Sequence, residues 1–435
     1  MGIKTTNIPA ALKKPFMGQT GQGNPASVRD PRDNNYVWTA LNAAGTAVKD
    51  LLRLGRDDVA QVAGAPCVQG MSRIIPFIAV ANAGVATRPF HVFTATAYGR
   101  IVGIREIHGT AGNHASAVTG HVTKERGTQA AGTGVSLMSG TFNLKGTADT
   151  QQTATLTSND SYLDFQPGDR LSFKLTGTAT NVANLYVEVL VQYDSNIFEQ
   201  SVYLASGDAD TVFFIANRKY PIVNVAYMHG TAETTTTGLN VELKIQDGTE
   251  TEAQGTDILT NNSNAGFDCL AAANTVQTGT FTALSMVAGE RLSITYDDTA
   301  TELANVVLTV AFTAQPNRQE VTFWWNAPAA TDHGFFIADR SYRLFDGRQI
   351  HGTAAGGTST MQLEKITGTT AAGSGTNLLS TAWDLNATAD TIQILDPITV
   401  KATLQLDDGD RLAHDFANAI QSSTNFCATY SLLAE

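Results

Sequence analysis

Charge is the scarcest ingredient of this 435-residue chain, with Asp, Glu, Lys and Arg making up 16% of it against about a quarter in a typical domain. That argues against long, salt-bridged helices. Thr, Ala, Ser, Asn and Gly fill the missing places, and they suit short strands and polar turns. Cysteine is scarce as well. Cys67, Cys269 and Cys427 are odd in number and form no C-x-x-C pair, so buried free thiols in a reducing cytoplasm are expected in place of a disulfide framework. No eighteen apolar residues run together, and Met1 to Lys14 has no apolar core of signal-peptide length, so neither a membrane span nor a secretion signal is expected.

Basic charge is short overall but unevenly placed. A net charge of −12 does not suit a general nucleic-acid binder, because phosphate needs a basic surface. Residues 1–73 nevertheless carry nine Lys or Arg against five acids, leaving nineteen and thirty-five for the remainder. A basic leader therefore sits on an acidic body.

Catalytic signatures are missing. No H-E-x-x-H, G-x-S-x-G or phosphate loop ending in Gly-Lys-Ser/Thr appears, and Gly132-Thr-Gly134 lacks the third glycine of a dinucleotide fingerprint. Asp407-Asp408-Gly409-Asp410 and the spaced Asp384, Asn386, Thr388 and Asp390 cluster oxygen ligands, but neither follows a calcium-loop pattern. No cofactor, metal or catalytic residue is expected.

What is present is repetition. His-Gly-Thr-Ala occurs at His108, His229 and His351, spaced by 121 and 122 residues. Aromatic blocks precede it: Phe90 and Phe93 with Tyr98, Phe213-Phe214 with Tyr220, and Phe335-Phe336 with Tyr342. A Gly-Asp/Glu-Arg-Leu run follows, with its arginine at Arg170, Arg291 and Arg411. Between them recurs an aromatic-Asn/Asp pair leading to Asp149-Thr150, Asn274-Thr275 and Asp390-Thr391. Four ordered landmarks at a constant period mean three copies of one unit.

Each unit reads as β. Val241 to Ile245 and Leu171 to Leu175 alternate apolar and polar residues, which puts one face on a core and the other toward water. Turn residues punctuate the chain every eight to twelve residues, the rhythm of a sandwich or jelly roll. The expected fold is all-β: three tandem jelly-roll-like sandwiches at 73–195, 196–316 and 317–435, joined by short linkers. Residues 1–72 are expected to form an extended arm followed by a short helix. The helix rests on apolar residues at spacings of three and four from Val37 to Leu52, interrupted by Gly45 at about 1 kcal/mol.

The repeated landmarks admit two readings. Around a pseudo-threefold axis, His108, His229 and His351 would converge on a metal or anion. Otherwise each is a strand-end histidine followed by a glycine at a turn of positive φ. Recurrence together with the surrounding turns and aromatics favours the second. The Gly-Asp/Glu-Arg run reads as a turn whose carboxylate caps loop amides, with the arginine paired locally or on a neighbouring unit. Trp324, Trp325, Phe323, Phe335 and Phe336 read as packing residues, since adjacent aromatics on a strand point to opposite faces and cannot all line one sugar-binding groove.

Phe335 to Arg343 leading into His351-Gly-Thr-Ala, and Lys365 to Leu379 after it, resemble a unit of tailed-bacteriophage virion structural proteins of the head decoration or head fibre type. The resemblance covers all three units, is closest in the third, and leaves out the leader. It implies a non-enzymatic capsid decoration (cement) protein at the virion surface, made in the host bacterial cytoplasm. The implied partner is the major capsid protein, and the implied state a homo-oligomer, a trimer, with no nucleic acid or membrane bound. The basic residues Lys4, Lys13, Lys14, Arg29 and Arg32 are then the expected capsid anchors. The alternative is a tail-fibre or baseplate component that binds host-surface glycans.

Overall fold

In the computed structural model the chain divides into two compact units, Met1–Gln69 and Gly70–Glu435. The described residues of the first are 37–41, 47–54, 60–62 and 65–66; those of the second run from 73 to 435 without 80–88, 180, 207–209, 237, 265, 283, 316, 326–331 and 419–422. The arm expected at 4–35 lies outside the described residues.

The helix expected after the arm is not there. Strands β1 (Val37–Leu41), β2 (Ala47–Leu54), β3 (Ala60–Val62) and β4 (Ala65–Pro66) pair antiparallel in that order. Over segments this short, apolar spacings of three and four do not separate a helix from two strands. The β-branched and aromatic start Val37-Trp38-Thr39 tips the balance toward strand, and a ladder satisfies the backbone without carrying a helix through Gly45.

The second unit contains three β-sandwiches. Sandwich I holds β5 (Arg73–Ala79), β6 (Pro89–Thr94), β7 (Gly99–Thr110), β8 (Thr119–Glu125), β9 (Arg170–Thr176) and β10 (Ala183–Tyr193). Sandwich II repeats them as β11 (Ile197–Ser206), β12 (Thr211–Ile215), β13 (Tyr220–Thr231), β14 (Asn240–Gln246), β15 (Arg291–Tyr296) and β16 (Ala304–Thr313). Sandwich III repeats them as β17 (Arg318–Trp325), β18 (His333–Ile337), β19 (Tyr342–Ile350), β20 (Thr360–Ile366), β21 (Arg411–Ala417) and β22 (Phe426–Ala434).

In sandwich I the sheet β8–β9–β6 faces the sheet β7–β10–β5, and the same pairing recurs in II and III, each sheet extended by two-residue strands. Each sandwich buries its own apolar core. Among the described residues the α-helix is a single turn, Asp160–Leu163, capped by the side chain of Asn159.

Two β-bulges recur in every sandwich. The first falls at Val92, Phe213 and Phe335, where the ladder to β9, β15 or β21 skips one residue. A bulge gives consecutive side chains nearly the same direction. Phe213 and Phe214 therefore both enter the core of II, and Phe335 and Phe336 both enter that of III. This corrects the expectation that adjacent aromatics must point apart. The second bulge falls at Val102, Val223 and Phe345, where the ladder to β10, β16 or β22 skips a residue.

The sandwiches do not stand in a row. Strand β6 of I packs on β11 and β16 of II, the equivalent β12 packs on β17 and β22 of III, and the equivalent β18 packs on β5 and β10 of I. The same strand of each sandwich meets the same sheet of the next, and the third joint returns to the first sandwich. A head-to-tail contact that closes after three steps is a pseudo-threefold ring. Its joints bury outward-facing residues that alternation alone assigns to water, such as Ser172, Ser293, Thr309, Thr429 and Glu188, all 0% exposed.

Candidate functional site

The repeated landmarks lie at the three joints. Each turn before the arginine has a glycine at positive φ, with Gly168, Gly289 and Gly409 at 88°, 97° and 86°. The following carboxylate accepts a backbone N–H from three residues earlier: Gln166 to Asp169 at 3.1 Å, Val287 to Glu290 at 2.6 Å and Asp407 to Asp410 at 2.9 Å. These short loops deliver the arginine onto the outer face of the next strand.

Each guanidinium then ties two sandwiches together. Arg170 donates to Gly127 O at 2.6 Å and Gln129 O at 2.8 Å in its own sandwich, and to Asn274 O of sandwich II at 2.9 Å. Arg291 donates to Gly248 O at 2.7 Å, to Glu250 O, and to Asp390 O of sandwich III at 3.3 Å. Arg411 donates to Gly368 O at 3.0 Å and Thr370 O at 2.6 Å, and its Nη1 lies 3.7 Å from the Asp149 carboxylate of sandwich I. The arginine landmark of one unit thus meets the Asp/Asn landmark of the next, around the whole ring. Planar geometry and five donors let guanidinium hold several carbonyls at once, which ammonium cannot match.

The histidines hold the receiving loops. His108 Nε2 donates to Gly146 O at 3.3 Å, His229 Nε2 to Ala271 O at 2.8 Å, and His351 Nε2 to Ala387 O at 3.2 Å. Their own carbonyls accept N–H from Asp149, Asn274 and Asp390 at 2.8, 2.7 and 2.9 Å. All three histidines are 0% exposed, and each holds a different loop. Among the described residues no group of three or more His, Cys, Asp or Glu is placed to hold a metal.

The glycine after each histidine has a different cause from the expected turn. Gly109, Gly230 and Gly352 are not at positive φ. Their missing Cβ makes room for Asn184, Asn305 and Asn425, whose side chains would lie 3.1, 2.9 and 3.0 Å from it. Those asparagines are themselves at φ of 53°, 55° and 51°. Sequence reasoning missed them, although they recur 121 and 120 residues apart. It also missed Gln152, Gln277 and Gln393, each of which clamps the Asn/Asp nine residues earlier through paired backbone bonds.

Buried carboxylates reinforce the joints. Glu199 of sandwich II, buried, accepts from Thr96 N at 2.7 Å and Thr96 Oγ1 at 2.5 Å in sandwich I, and from Tyr193 Oη at 2.5 Å. Burial pushes its pKa up to about 7, against the pull of those donors. At the closing joint, Glu188 accepts from Arg105 Nε at 2.6 Å, Tyr186 Oη at 2.9 Å and Ile337 N of sandwich III at 3.2 Å. Arg105 reaches across to Ile337 O at 2.8 Å and Ala338 O at 3.0 Å.

The aromatics offered for sugar stacking are engaged in packing. Trp324 is half-buried against the core of sandwich II and the II–III joint, and Trp325 packs edge-on to His333, Phe323 and Phe416. Cys269 and Cys427 are buried free thiols whose pKa burial drives up, while Cys67 lies outside the described residues.

What the ring leaves in the open is the second bulge. Val102, Val223 and Phe345 are 41%, 46% and 54% exposed. They occupy one repeat position, so the pseudo-threefold relation sets all three on the same face of the ring. Arg318 stacks on the Phe345 ring with its guanidinium carbon 4.6 Å from the centroid. Lys4, Lys13, Lys14, Arg29 and Arg32 lie outside the described residues. No known protein family matches the chain, and no characterised protein matches its sequence. Among the described residues no helix is long and apolar enough to cross a membrane.

Two predictions test the joints. Arg291→Ala strands buried carbonyls on both sides of the II–III joint and costs about 2–4 kcal/mol. Hydrogen exchange should accelerate together at 248–250 and at the 387–391 loop, while the sandwich I core stays protected. Glu199 has a folded pKa above its ordinary value of 4.5, so its stabilising contribution is complete below about pH 4.5 and is lost as pH rises through about 7. The full span is worth about 3 kcal/mol. Burial raises Glu188 to about 7 as well, so melting curves from pH 4.5 to 8 should show a wild-type decline that Glu199→Gln makes shallower.

Proposed function

We propose that the chain is a non-enzymatic bacteriophage virion structural protein, a capsid decoration (cement) protein that binds the major capsid protein at the head surface. The observation that carries this reading is the threefold recurrence of an exposed apolar side chain, Val102, Val223 and Phe345, on one face of a closed ring. An exposed position is free to be polar, and a bulge that turns an apolar residue outward in all three units suits a contact surface. Three equivalent knobs fit a partner that itself presents equivalent pockets around a local threefold, as a protein lattice does. The remaining landmarks are occupied in holding the ring together.

In this reading the trimeric arrangement expected of such a protein comes from three sandwiches of one chain. Single-site binding by each knob is weak, and simultaneous engagement of three raises the effective affinity. The basic residues Lys4, Lys13, Lys14, Arg29 and Arg32 add a second attachment, drawn to an acidic lattice by charge. Synthesis takes place in the host cytoplasm, and the mature location is the outer surface of the virion head.

The test is co-sedimentation with heads stripped of the protein. The triple variant Val102→Ser, Val223→Ser, Phe345→Ser should keep its melting temperature and elute as a single chain, yet lose at least about tenfold in head binding. Wild-type binding by that variant, or labelling of the wild-type protein on the tail in electron micrographs of intact particles, overturns the assignment.

A further inference from the structure

The three joints are built from equivalent residues, and one of them is left unfilled. Between sandwiches III and I lies a cleft of about 320 Å³ whose wall includes Asp149, Asn184, Asp332, Gly334, Ala372 and Arg411. Two small residues open it. Gly334 faces Ala413 across the ladder, the place taken by His91 facing Ser172 in I and by Val212 facing Ser293 in II. Ala372, four residues past the carbonyl of Gly368 that binds Arg411, holds the position of Glu252, four past Gly248. Glu252 fills the II–III joint, with Oε1 lying 2.9 Å from where a Cβ on Gly352 would be.

The I–II joint shows what such a space accommodates. There the imidazole Nε2 of His91 sits 3.1 Å from Asn274 Oδ1, and Tyr203 Oη donates to Asn305 Oδ1 at 3.1 Å. The residues equivalent to these two acceptors at the III–I joint are Asp149 and Asn184. The imidazole donor has no counterpart among the described residues, because Gly334 stands for His91. Asn184 uses its Nδ2 on Asp332 O at 3.0 Å, which leaves its Oδ1 as an acceptor. Asp149 and Asp332 outnumber Arg411 by one charge; Asp332 Oδ1 already accepts Phe416 N at 2.8 Å, and Arg411 approaches Asp149 only to 3.7 Å while spending its short bonds on Gly368 O and Thr370 O. The cleft is therefore rich in acceptors, short of donors and negative.

We infer that the III–I cleft is a binding site for a small planar organic cation bearing N–H donors, of the imidazolium or guanidinium type, held by Asp149 and Asn184 in the place that His91 fills at the equivalent joint. The ligand donates to the Asp149 carboxylate in a charge-assisted bond and lies against the apolar side chains of Ile107, Ala371 and Ala372. This inference does not depend on where the protein sits in a particle.

The experiment uses the full chain, with imidazole below neutral pH and methylguanidinium as probes, followed by ligand-detected NMR and melting temperature. Tetramethylammonium, a cation without N–H, is the control. Saturable millimolar binding of the two N–H cations, with none of tetramethylammonium, is expected. Asp149→Asn should weaken it by about tenfold. Gly334→His rebuilds the His91 arrangement, and a Cβ there would meet only Leu412 O at 3.9 Å, so it should raise the melting temperature and abolish binding. Ala372→Glu, which copies the Glu252 plug of the II–III joint, provides a second test should the first variant fold poorly. Absence of saturable binding, equal binding of tetramethylammonium, or binding that survives both plugs overturns the inference.

Discussion

A buried guanidinium whose carbonyl acceptors lie in two sandwiches is the constraint on which the ring depends. Arg170 and Arg291 are 0% exposed and bond to carbonyls on both sides of a joint. Leaving such a group buried without its acceptors costs far more than any single bond returns. A sandwich taken alone would expose its arginine, its outward Ser and Thr residues and its receiving loop half-paired. Each unit is complete only when the next is in place, and three units suffice to complete one another. The closing joint differs in detail, since Arg411 meets a carboxylate where its counterparts meet a carbonyl, but the direction of contact is kept.

The paired bulges divide labour along each repeat. The first folds an additional side chain into the core and lets short strands bury consecutive aromatics, as at Phe213-Phe214. The second does the reverse, taking one residue out of the ladder and turning it to solvent at Val102, Val223 and Phe345. Both act by breaking the two-residue period locally while keeping register on either side. Stability and display are thereby assigned to neighbouring positions of the same unit without competing for one side chain.

The repeat and the β class were legible in the sequence because landmarks with fixed spacing report a repeating fold directly. Inter-unit geometry was less so. Nothing in His-Gly-Thr-Ala distinguishes a glycine needed for positive φ from one needed for close approach, and the deciding partner, Asn184, lies 76 residues after His108. The bulges were invisible for a related reason: strict alternation is the only period a strand shows, and a one-residue departure looks like noise until the partner strand is known. The helix expected from Val37 to Leu52 failed through the opposite error, since a short run of apolar spacings was given more weight than the β-branched and aromatic residues within it. Trp324 and Trp325 read as packing residues from their adjacent places on a strand, but that Trp324 lies against a joint required the ring.

Closure also explains why the three joints are not copies. Strand β18 must find β5 and β10, the partner farthest from it in sequence, and loop-closure entropy makes that the last contact to be favoured. At the position where β16 and β22 present Thr309 and Thr429 to the incoming strand, β10 presents Glu188. Arg105, whose equivalent in sandwich II is Ala226, lies beside it and bonds to the carbonyls of Ile337 and Ala338. A strand docked at the wrong joint would leave Glu188 and Arg105 buried without its backbone groups. A buried pair of this kind adds little net stability, and its value lies in the penalty it sets on wrong pairings. Three identical joints would let the sandwiches of two chains exchange and link into longer assemblies, whereas a distinct closing joint favours one chain, one ring.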